Sequence, residues 1–420
     1  MQERLPSPAV FRRAHWRGVE SVAVLRVRNP DVHESVAQEP DAFSDVLVIG
    51  GGQAGLSAAY FLQRFGLGDR YQLLDHSPRP GGAWQFRWPT LTLSGTNRVH
   101  DLPGYGLAEA VGIDRGEFPA SSVVPEYFAK YENRFGLRVR RPVDVRSVER
   151  DGEGFRVILG GRLRDREISA RTLINATGTW ERPFIPHIPG AADFRGRQLH
   201  THDYTGPEEF AGQRVLVVGA GISAVQLLIE IARRAPGVQT FWCSRTEPRS
   251  DSNPFSPELG REAVARVERR VRAGLPPTSV VSVTGLALTP TIEAAQRDGL
   301  LDNWRPMFTR ITETGVCWDC TGVAGGDRAN GGSPVAAGEQ LDVDVIFWNT
   351  GFRSALDHLS PLHLRGPGGG IVMTGRLATT VADDPRIQLL GYGPSASTIG
   401  ANRAGREAAR NVVEILDTQP

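Results

Sequence analysis

Two glycine-rich turns are the segments whose residue types and spacing most directly indicate chemistry. In the first, Gly50-x-Gly52-x-x-Gly55 follows an apolar run that ends at Ile49. In a strand–turn–helix unit the first glycine permits a tight turn, the second leaves room for a pyrophosphate, and the third lets the helix pack closely. The helix would direct free N–H groups and its positive dipole end at the phosphates. Asp75 ends the next apolar run, where a carboxylate is expected to bind an adenosine ribose, so a dinucleotide site is predicted.

The second turn, Gly219-x-Gly221-x-x-Ala224, follows a similar apolar run. The strand after its helix ends in Ser244 and Arg245 rather than in a carboxylate. An acidic residue there would repel a ribose 2′-phosphate, whereas a hydroxyl and a guanidinium would bind it. This pattern predicts NADPH rather than NADH at the second turn. The alternative is that Arg245 is only a solvated side chain at a strand end.

The elements that must position these turns are two strand–turn–helix units about 170 residues apart along the chain. A doubled unit of this kind predicts an α/β protein with two Rossmann-like dinucleotide-binding domains. Residues 1–43 mix Arg, Pro and Glu without a sustained apolar period. They are predicted to be a mobile N-terminal extension or a misplaced start, with local packing as the alternative.

Composition excludes several classes of function. The chain has 420 residues, a length typical of two or three domains, and its formal net charge is +1. Such a balance gives no field that would attract nucleic acid or an anionic membrane, and no apolar run approaches the ~20 residues that span a bilayer. Three cysteines cannot form a disulfide framework and fit a reducing compartment. The prediction is a cytoplasmic protein without nucleic-acid or membrane partners.

Further short motifs carry a family resemblance. Gly82 and Trp84 lie in Pro-Gly-Gly-Ala-Trp, Thr177 and Gly178 follow an apolar strand in Ala-Thr-Gly, and Gly351 follows another in Asn-Thr-Gly-Phe. In this order the motifs resemble those of the flavin-containing monooxygenase-like flavoproteins, from about residue 45 to the C-terminus. The resemblance implies an NADPH domain inserted into a discontinuous FAD domain. The implied limits are 44–205 for the first segment of the FAD domain, 206–335 for the NADPH domain, and 336–420 for the second segment of the FAD domain.

The segment before the second turn resembles the fingerprint of this family. Phe194, Gly196, His200 and Tyr204 match its Phe, Gly, His and Tyr/Phe positions, whereas the related Baeyer–Villiger monooxygenases carry Trp at the last one. The resemblance therefore implies oxygenation of nitrogen or sulfur rather than ester formation. The two residues after Tyr204 replace the basic residue usual there and weaken this assignment. Two alternative roles stay open for His200, one in catalysis and one in linking the two domains.

The resemblance also implies a mechanism. NADPH would reduce FAD, and the flavin would react with dioxygen to a 4a-hydroperoxide that oxygenates a small molecule. Asn97 is the candidate amide donor of the active site, with a turn-forming role after Gly95 as the alternative. Three other functions stay open: an NADPH-dependent FAD oxidoreductase without oxygen insertion, a Baeyer–Villiger monooxygenase and a non-catalytic flavin redox sensor. A homodimer is also left open. The predicted cofactor contacts are Gly50, Gly52, Gln53, Gly55, Asp75, Gly82, Trp84, Val145, Thr177, Gly178, Gly219, Gly221, Ser223, Ala224, Ser244, Arg245, Gly351 and Thr398.

Cys317 and Cys320 form a Cys-x-x-Cys pair, which in a flavoprotein suggests a disulfide reductase. Thioredoxin-reductase-like chains carry their pair shortly before the second glycine turn, whereas this pair lies about a hundred residues after it. The flanking residues indicate a β-hairpin. We therefore predict that the pair has no redox role, and no spacing indicates a metal site.

Overall fold

The computed structural model describes residues 39–418, except 97–98, 165, 249, 252–256, 279–285, 288, 319–335 and 337. Most of the predicted N-terminal extension, the candidate amide donor Asn97, and Cys320 lie outside the described residues.

The strands, in chain order, are β1 (Phe43–Ile49), β2 (Tyr71–Leu74), β3 (Val139–Arg140), β4 (Val145–Asp151), β5 (Gly154–Leu159), β6 (Glu167–Asn175), β7 (Arg197–His200), β8 (Arg214–Val218), β9 (Gln239–Ser244), β10 (Ser250–Asp251), β11 (Leu286–Ala287), β12 (Trp304–Pro306), β13 (Arg310–Ile311), β14 (Gly315–Cys317), β15 (Gln340–Asp342), β16 (Val345–Trp348), β17 (Met373–Thr374), β18 (Thr380–Val381) and β19 (Ile387–Leu389).

The α-helices are α1 (Gln53–Arg64), α2 (Leu107–Val111), α3 (Ala120–Phe135), α4 (Ile222–Arg234), α5 (Pro257–Arg272), α6 (Pro290–Arg297) and α7 (Thr398–Thr418). Short 3₁₀ helices span Gly82–Phe86, Gly161–Leu163, Thr201–Asp203, Pro207–Phe210, Asp357–Leu362, Arg376–Ala378 and Gly393–Ser395. No described helix is long and apolar enough to cross a lipid bilayer.

The first sheet has nine strands in the order β17-β18-β19-β6-β1-β2-β3, with the β4–β5 hairpin attached to β6. The strands β19, β6, β1, β2 and β3 run parallel. β1 is apolar without alternation from Val46 to Ile49 because it is buried on both faces. Helices α1 and α7 pack against each other beside this sheet. A Cβ on Gly405 of α7 would lie 2.9 Å from the backbone N of Ala58, so the glycine permits this close helix contact.

The second sheet has five parallel strands in the order β12-β9-β8-β16-β7. Its strands lie in the chain between β6 and β17 of the first sheet, so the second unit interrupts the first, as the predicted fold class requires. The strands at its two ends in the chain, β7 and β16, lie just beyond the predicted limits of 206 and 335.

A small antiparallel sheet, β13-β14-β15, carries Cys317 at the end of its middle strand. Its apolar side chains pack in one cluster with Phe308 and with Trp348 of β16. Two short parallel strands, β10 and β11, form a separate pair.

Candidate functional site

The first glycine turn lies where β1 ends at the carboxyl edge of the first sheet. Gly50 has a φ of 107°, and a Cβ there would lie 2.5 Å from the carbonyl oxygen of Ala176. A Cβ on Gly55 would lie 1.8 Å from the carbonyl oxygen of Gly50. Both glycines are therefore required by the fold itself. Gly52 differs, because its Cβ would meet no atom closer than Gly82 Cα at 3.9 Å.

The space beside Gly52 is open and adjoins the start of helix α1. Helix α1 begins directly after Gly52 and has no side-chain cap and no acidic residue in its first turn. The backbone N–H groups of this first turn are therefore not capped by a side chain and are available to an anionic ligand. Gln53 donates to the His100 carbonyl and to Asn402 Oδ1, at 3.0 and 2.9 Å. Its buried Oε1 has no hydrogen-bond partner among the described residues. A buried amide oxygen without a donor is typical of a site that a ligand completes.

The Gly-Gly-x-Trp segment lies directly against this turn. Gly82 has a φ of 50°, and a Cβ there would come within 2.9 Å of Gly52 Cα. Trp84 is half-buried and packs on the cluster that contains α1 and α7. The predicted contacts Gly52, Gly82 and Trp84 are therefore brought together around one space.

Asp75 lies at the same sheet edge and is almost fully buried. Its Oδ2 accepts from Arg141 Nε at 3.1 Å, and Arg141 also forms a bidentate pair with Glu132 at 2.6 and 2.9 Å. A Cβ on Gly51 would lie 2.9 Å from both Arg141 Nη2 and Asp75 Oδ2. The glycine at position 51 therefore leaves room for the ion pair. Arg141 orients the carboxylate predicted to bind the ribose.

The predicted link Ala-Thr-Gly at 176–178 is joined to the returning segment of the chain by a polar network. Asn175 donates to Thr177 Oγ1 at 3.0 Å, and Thr177 donates to the Ala355 carbonyl at 2.7 Å. The Asn175 Oδ1 lies 2.7 Å from His358 Nε2. Because the Asn175 amide oxygen accepts only, His358 carries its proton on Nε2 in the neutral form. Burial lowers the pKa of His358 to about 4, although the Asp357 and Asp144 carboxylates oppose the shift.

This low pKa predicts acid sensitivity that His358→Gln should reduce. Since the unfolded histidine protonates near pH 6.5 and the folded one near 4, the folded state loses stability as the pH falls between these values. The loss is about 3 kcal/mol, which urea unfolding at pH 7 and pH 4 would measure. We expect His358→Gln to remove most of that difference by keeping an amide donor to Asn175. An unchanged difference in the variant would contradict the assignment.

The second glycine turn repeats the first at the carboxyl edge of the second sheet. Gly219 has a φ of 144°, and a Cβ there would lie 2.3 Å from the carbonyl oxygen of Asn349. A Cβ on Gly221 would meet no atom within 4 Å. Helix α4 begins after Gly221 without a side-chain cap or an acidic residue in its first turn. Ala224 is fully buried and Ser223 half-buried, so the turn again offers open space and free N–H groups.

Ser244 and Arg245 end β9 beside this turn but are placed differently. Ser244 is buried, and its hydroxyl donates to the Thr246 carbonyl and accepts from Trp304 Nε1, both at 2.7 Å. Its proton is therefore used within the protein, and Ser244 supports the turn. Arg245 is exposed, and its side chain has no ion pair or hydrogen bond with the described residues of the chain. Arg245 remains available to an added phosphate.

Replacing Arg245 by alanine should therefore discriminate between the two coenzymes. Loss of a charge-assisted hydrogen bond of roughly 1.5–3 kcal/mol predicts a ten- to hundredfold rise in the dissociation constant of NADP⁺. NAD⁺, which lacks the 2′-phosphate, should bind unchanged. Titration of the flavin absorbance with each coenzyme measures both. Equal weakening for both would show that Arg245 supports the fold instead.

The fingerprint histidine is bonded through both ring nitrogens. His200 is buried, its Nδ1 accepts from the backbone N–H of His202 at 3.1 Å, and its Nε2 lies 3.0 Å from the Gly351 carbonyl oxygen. Since Nδ1 accepts, Nε2 carries the proton and donates to Gly351. Burial lowers the pKa of His200 and keeps the ring neutral. Nδ1 is used within its own turn and Nε2 joins this segment to Gly351, which favours the linking role over the catalytic one.

The other predicted contacts are less informative. Val145 begins β4 and is half-buried, and Thr398 begins α7 with a side chain outside the described set. Gly178 and Gly351 both have positive φ and open space where a Cβ would stand. No group of three or more metal-ligating side chains occurs among the residues that the structure describes.

Sequence reasoning missed three side chains at these turns. Arg141 and Glu132 hold Asp75, and Arg87 lies between two tryptophan rings. One signal was available for Arg141: it directly follows β3, the strand next to β2 in a doubly wound sheet, so it reaches the same edge as Asp75.

Two strand–glycine turn–helix units, each at the carboxyl edge of its own parallel sheet, define a protein with two dinucleotide-binding domains. A family model described as pyridine nucleotide-disulphide oxidoreductase matches residues 47–280, more than half of the chain. The solved flavin-containing monooxygenase from Stenotrophomonas maltophilia is 33% identical with a TM-score of 0.69, and the match covers 90% of this chain and 100% of that one. A doubly substituted flavin monooxygenase from the same organism is 34% identical with a TM-score of 0.72 at the same coverage.

Among curated relatives, an oxidoreductase of Bacillus subtilis is 31% identical over 45% of this chain and 52% of its own length. Senecionine N-oxygenase of Tyria jacobaeae is 26% identical over 45% of this chain and 44% of its own. The chain spans about half the length of the curated relatives it matches. It belongs to the pyridine nucleotide-disulphide oxidoreductase family and, within it, to the flavin-containing monooxygenase-like flavoproteins. The predicted fold class and family are confirmed, and so is the prediction of a flavin and a pyridine nucleotide as cofactors.

Proposed function

We propose that the protein is an NADPH-using, FAD-dependent monooxygenase that transfers one oxygen atom to a nucleophilic nitrogen or sulfur of a small molecule. NADPH, a proton, dioxygen and the substrate are consumed, and NADP⁺, water and the oxygenated product are formed. The two electrons of NADPH reduce the second oxygen atom to water. When bound, reduced FAD supplies the activation of dioxygen that side chains cannot provide.

The observation that carries this proposal is the way the fingerprint segment is built into the fold. A Cβ on Gly196 would lie 2.4 Å from the Phe194 ring and 2.5 Å from the Asp344 carbonyl oxygen, so the fold requires glycine there. His200 then joins this segment to Gly351, which follows β16. The residues that match the family fingerprint therefore make structural contacts that tie β7 to the segments on either side of β16 in the second sheet.

Tyr204 supports the choice of substrate chemistry. Its ring packs against Phe210, Phe347 and Trp88, with ring centroids 6.0, 5.6 and 6.2 Å away, and it is almost fully buried. Overpacking a filled cluster is destabilising, so the larger tryptophan of Baeyer–Villiger enzymes would not fit without rearrangement. This packing favours oxygenation of nitrogen or sulfur.

The side chains of this chain bind the two cofactors, orient them and shield them from water. The uncapped turns at Gly52 and Gly221 hold the pyrophosphates, Asp75 binds the ribose of FAD, and Arg245 binds the 2′-phosphate of NADPH. Aromatic side chains between the turns limit the entry of water, which protects the reduced cofactor from unproductive oxidation. Asn97 remains the proposed amide donor.

The limits of the two domains are part of this proposal. We assign residues 44–205 and 336–420 to the FAD domain and 206–335 to the NADPH domain. The pairing of β7 and β16 with β8 and its neighbours supports widening the NADPH domain to 197–348.

Product analysis tests the proposed function. The purified flavoprotein is supplied with NADPH, air and, separately, a tertiary amine, an aryl methyl sulfide and a cyclic ketone. We expect an N-oxide or a sulfoxide, and no lactone. A lactone as the main product, or hydrogen peroxide equal to the NADPH consumed with every substrate, would contradict the proposal.

One observation favours a second candidate, an NADPH-dependent disulfide reductase. Cys317 is fully buried and is disulfide-bonded. A redox disulfide must lie within reach of reduced flavin, whereas Cys317 is in the small β13-β14-β15 sheet and not in the first sheet, whose glycine turn is assigned to FAD. This location favours a structural role for the disulfide of Cys317 over a role as an electron acceptor.

We therefore expect that replacing Cys317 and Cys320 by serine leaves the rate of NADPH-dependent flavin reduction and product formation within a few-fold of the parent. The double variant should lose some thermal stability, since a disulfide contributes ~2–4 kcal/mol. Reduction of a small disulfide such as cystine by the parent but not by the variant would show that the reductase interpretation is the correct one.

A further inference from the structure

Arg87 is a charged side chain whose environment the nucleotide turns do not explain. It follows the 3₁₀ helix Gly82–Phe86 and is half-buried. Its guanidinium carbon lies 4.4 Å from the ring centroid of Trp180 and 5.9 Å from that of Trp84. Within the described residues of the chain, its side chain has no carboxylate partner and no hydrogen bond. Two aromatic rings therefore hold the cation while its donors remain unused.

Two other partly buried arginines in the described part of the chain are hydrogen-bonded to carboxylates. Arg141 binds Asp75 and Glu132, and Arg386 makes two hydrogen bonds of 2.8 Å to Asp384 and one to the Glu153 carbonyl. Removing a guanidinium from water without hydrogen-bond acceptors is costly, so a protein that satisfies these arginines is expected to satisfy Arg87 as well. A guanidinium held by aromatic faces keeps its edge free for bidentate recognition of an oxyanion.

Arg87 is connected to both glycine turns through neighbouring residues. On one side, Trp84 and Arg87 follow Gly82, which lies against Gly52 of the first turn. On the other, the Trp180 ring stacks on Phe352 at 5.0 Å and lies 4.9 Å from the His202 ring. These rings belong to the segments that reach the second turn.

Thr201, the residue before His202, is connected to the second turn through Asn349. Thr201 donates to Asn349 Oδ1 at 2.8 Å, and the Asn349 carbonyl oxygen is the atom that a Cβ on Gly219 would meet. A charged group connected to both turns in this way adjoins the route by which the nicotinamide coenzyme must reach the flavin.

We propose that Arg87 binds an oxyanion at this junction, a phosphate of NADPH. The inference rests on the proposed use of NADPH and adds a binding residue at the junction, distinct from Arg245 on β9. A carboxylate on the substrate has the same chemistry and is separated from the phosphate by the test.

The test compares Arg87→Gln and Arg87→Lys with the matched control Arg353→Gln. Arg353 also lies over an aromatic ring, 3.9 Å from the centroid of Phe184, but it is exposed. NADP⁺ is titrated into each oxidised flavoprotein while the flavin absorbance is recorded. Inhibition of anaerobic flavin reduction is then measured with inorganic pyrophosphate and with benzoate. These measurements use no oxygen and no substrate turnover, so they are independent of whether the protein is a monooxygenase.

For Arg87→Gln we expect at least a tenfold rise in the dissociation constant of NADP⁺ and loss of pyrophosphate inhibition, with a smaller effect for Arg87→Lys and none for Arg353→Gln. Flavin content and thermal midpoint, measured on every variant, should stay at parent values. Unchanged NADP⁺ binding with loss of benzoate inhibition would support the oxyanion site with a carboxylate as its ligand. Unchanged binding of NADP⁺, pyrophosphate and benzoate would overturn the proposal, as would loss of FAD from both Arg87 variants.

Discussion

Gly52→Ala should purify without FAD while its polypeptide stays folded. Gly52 has φ −85° and ψ −168°, which alanine adopts freely, and its Cβ would meet only Gly82 Cα at 3.9 Å. The added methyl group therefore fits the protein but occupies the space that the pyrophosphate requires. Overpacking of this kind costs ~1–3 kcal/mol or more, so the affinity for FAD should fall at least ten- to a hundredfold.

Flavin absorbance per polypeptide measures this loss, and urea unfolding of the FAD-free parent and variant measures the fold. The two unfolding free energies should agree within about 1 kcal/mol. A Gly52→Ala protein with full flavin occupancy would contradict the assignment of the first turn. Gly55→Ala is the opposite case, because its Cβ would lie 1.8 Å from the Gly50 carbonyl oxygen. That variant should lose stability with or without FAD.

Gly221→Ala should keep FAD and lose NADP⁺. Gly221 has φ −81° and ψ 170°, and a Cβ there would meet nothing within 4 Å. The same steric argument predicts a ten- to hundredfold weaker binding of NADP⁺ and of NAD⁺, since both carry the pyrophosphate. This pattern differs from that of Arg245→Ala, which should affect NADP⁺ alone. Coenzyme titration of the flavin-loaded variant measures both constants.

The two glycine variants are controls for each other. Each adds one methyl group at the start of a helix, and each should weaken binding at one turn at least tenfold and leave the other intact. If Gly221→Ala bound NADP⁺ as tightly as the parent, or lost FAD, the second turn would not be the nicotinamide coenzyme site.

The glycine turns could be predicted because every strand–turn–helix unit of this type has the same requirements. Gly50 and Gly219 are required by contacts with the residues that follow the neighbouring strand, and Gly55 is required by its contact with Gly50. The fold class followed from the same pattern, since continuous apolar runs before each turn are typical of parallel strands buried on both faces.

The side-chain partners could not be predicted because they depend on long-range packing. The partner of Asp75 is Arg141, 66 residues away, and the hydroxyl of Ser244 accepts from Trp304, 60 residues away. No local pattern shows that one predicted ligand is held by an arginine or that another is already bonded. Arg87 could not be identified from the sequence for the same reason, because Trp180 contacts its guanidinium only in the folded chain.

The most direct test of the account follows one oxygen atom. The flavoprotein is reduced anaerobically with one equivalent of NADPH, mixed with ¹⁸O₂ in the presence of an aryl methyl sulfide, and analysed by mass spectrometry. We expect a sulfoxide carrying one ¹⁸O atom, close to one molecule per NADPH oxidised, with little hydrogen peroxide. Unlabelled sulfoxide, or hydrogen peroxide in place of product whether a sulfide or a tertiary amine is supplied, would contradict the proposed function.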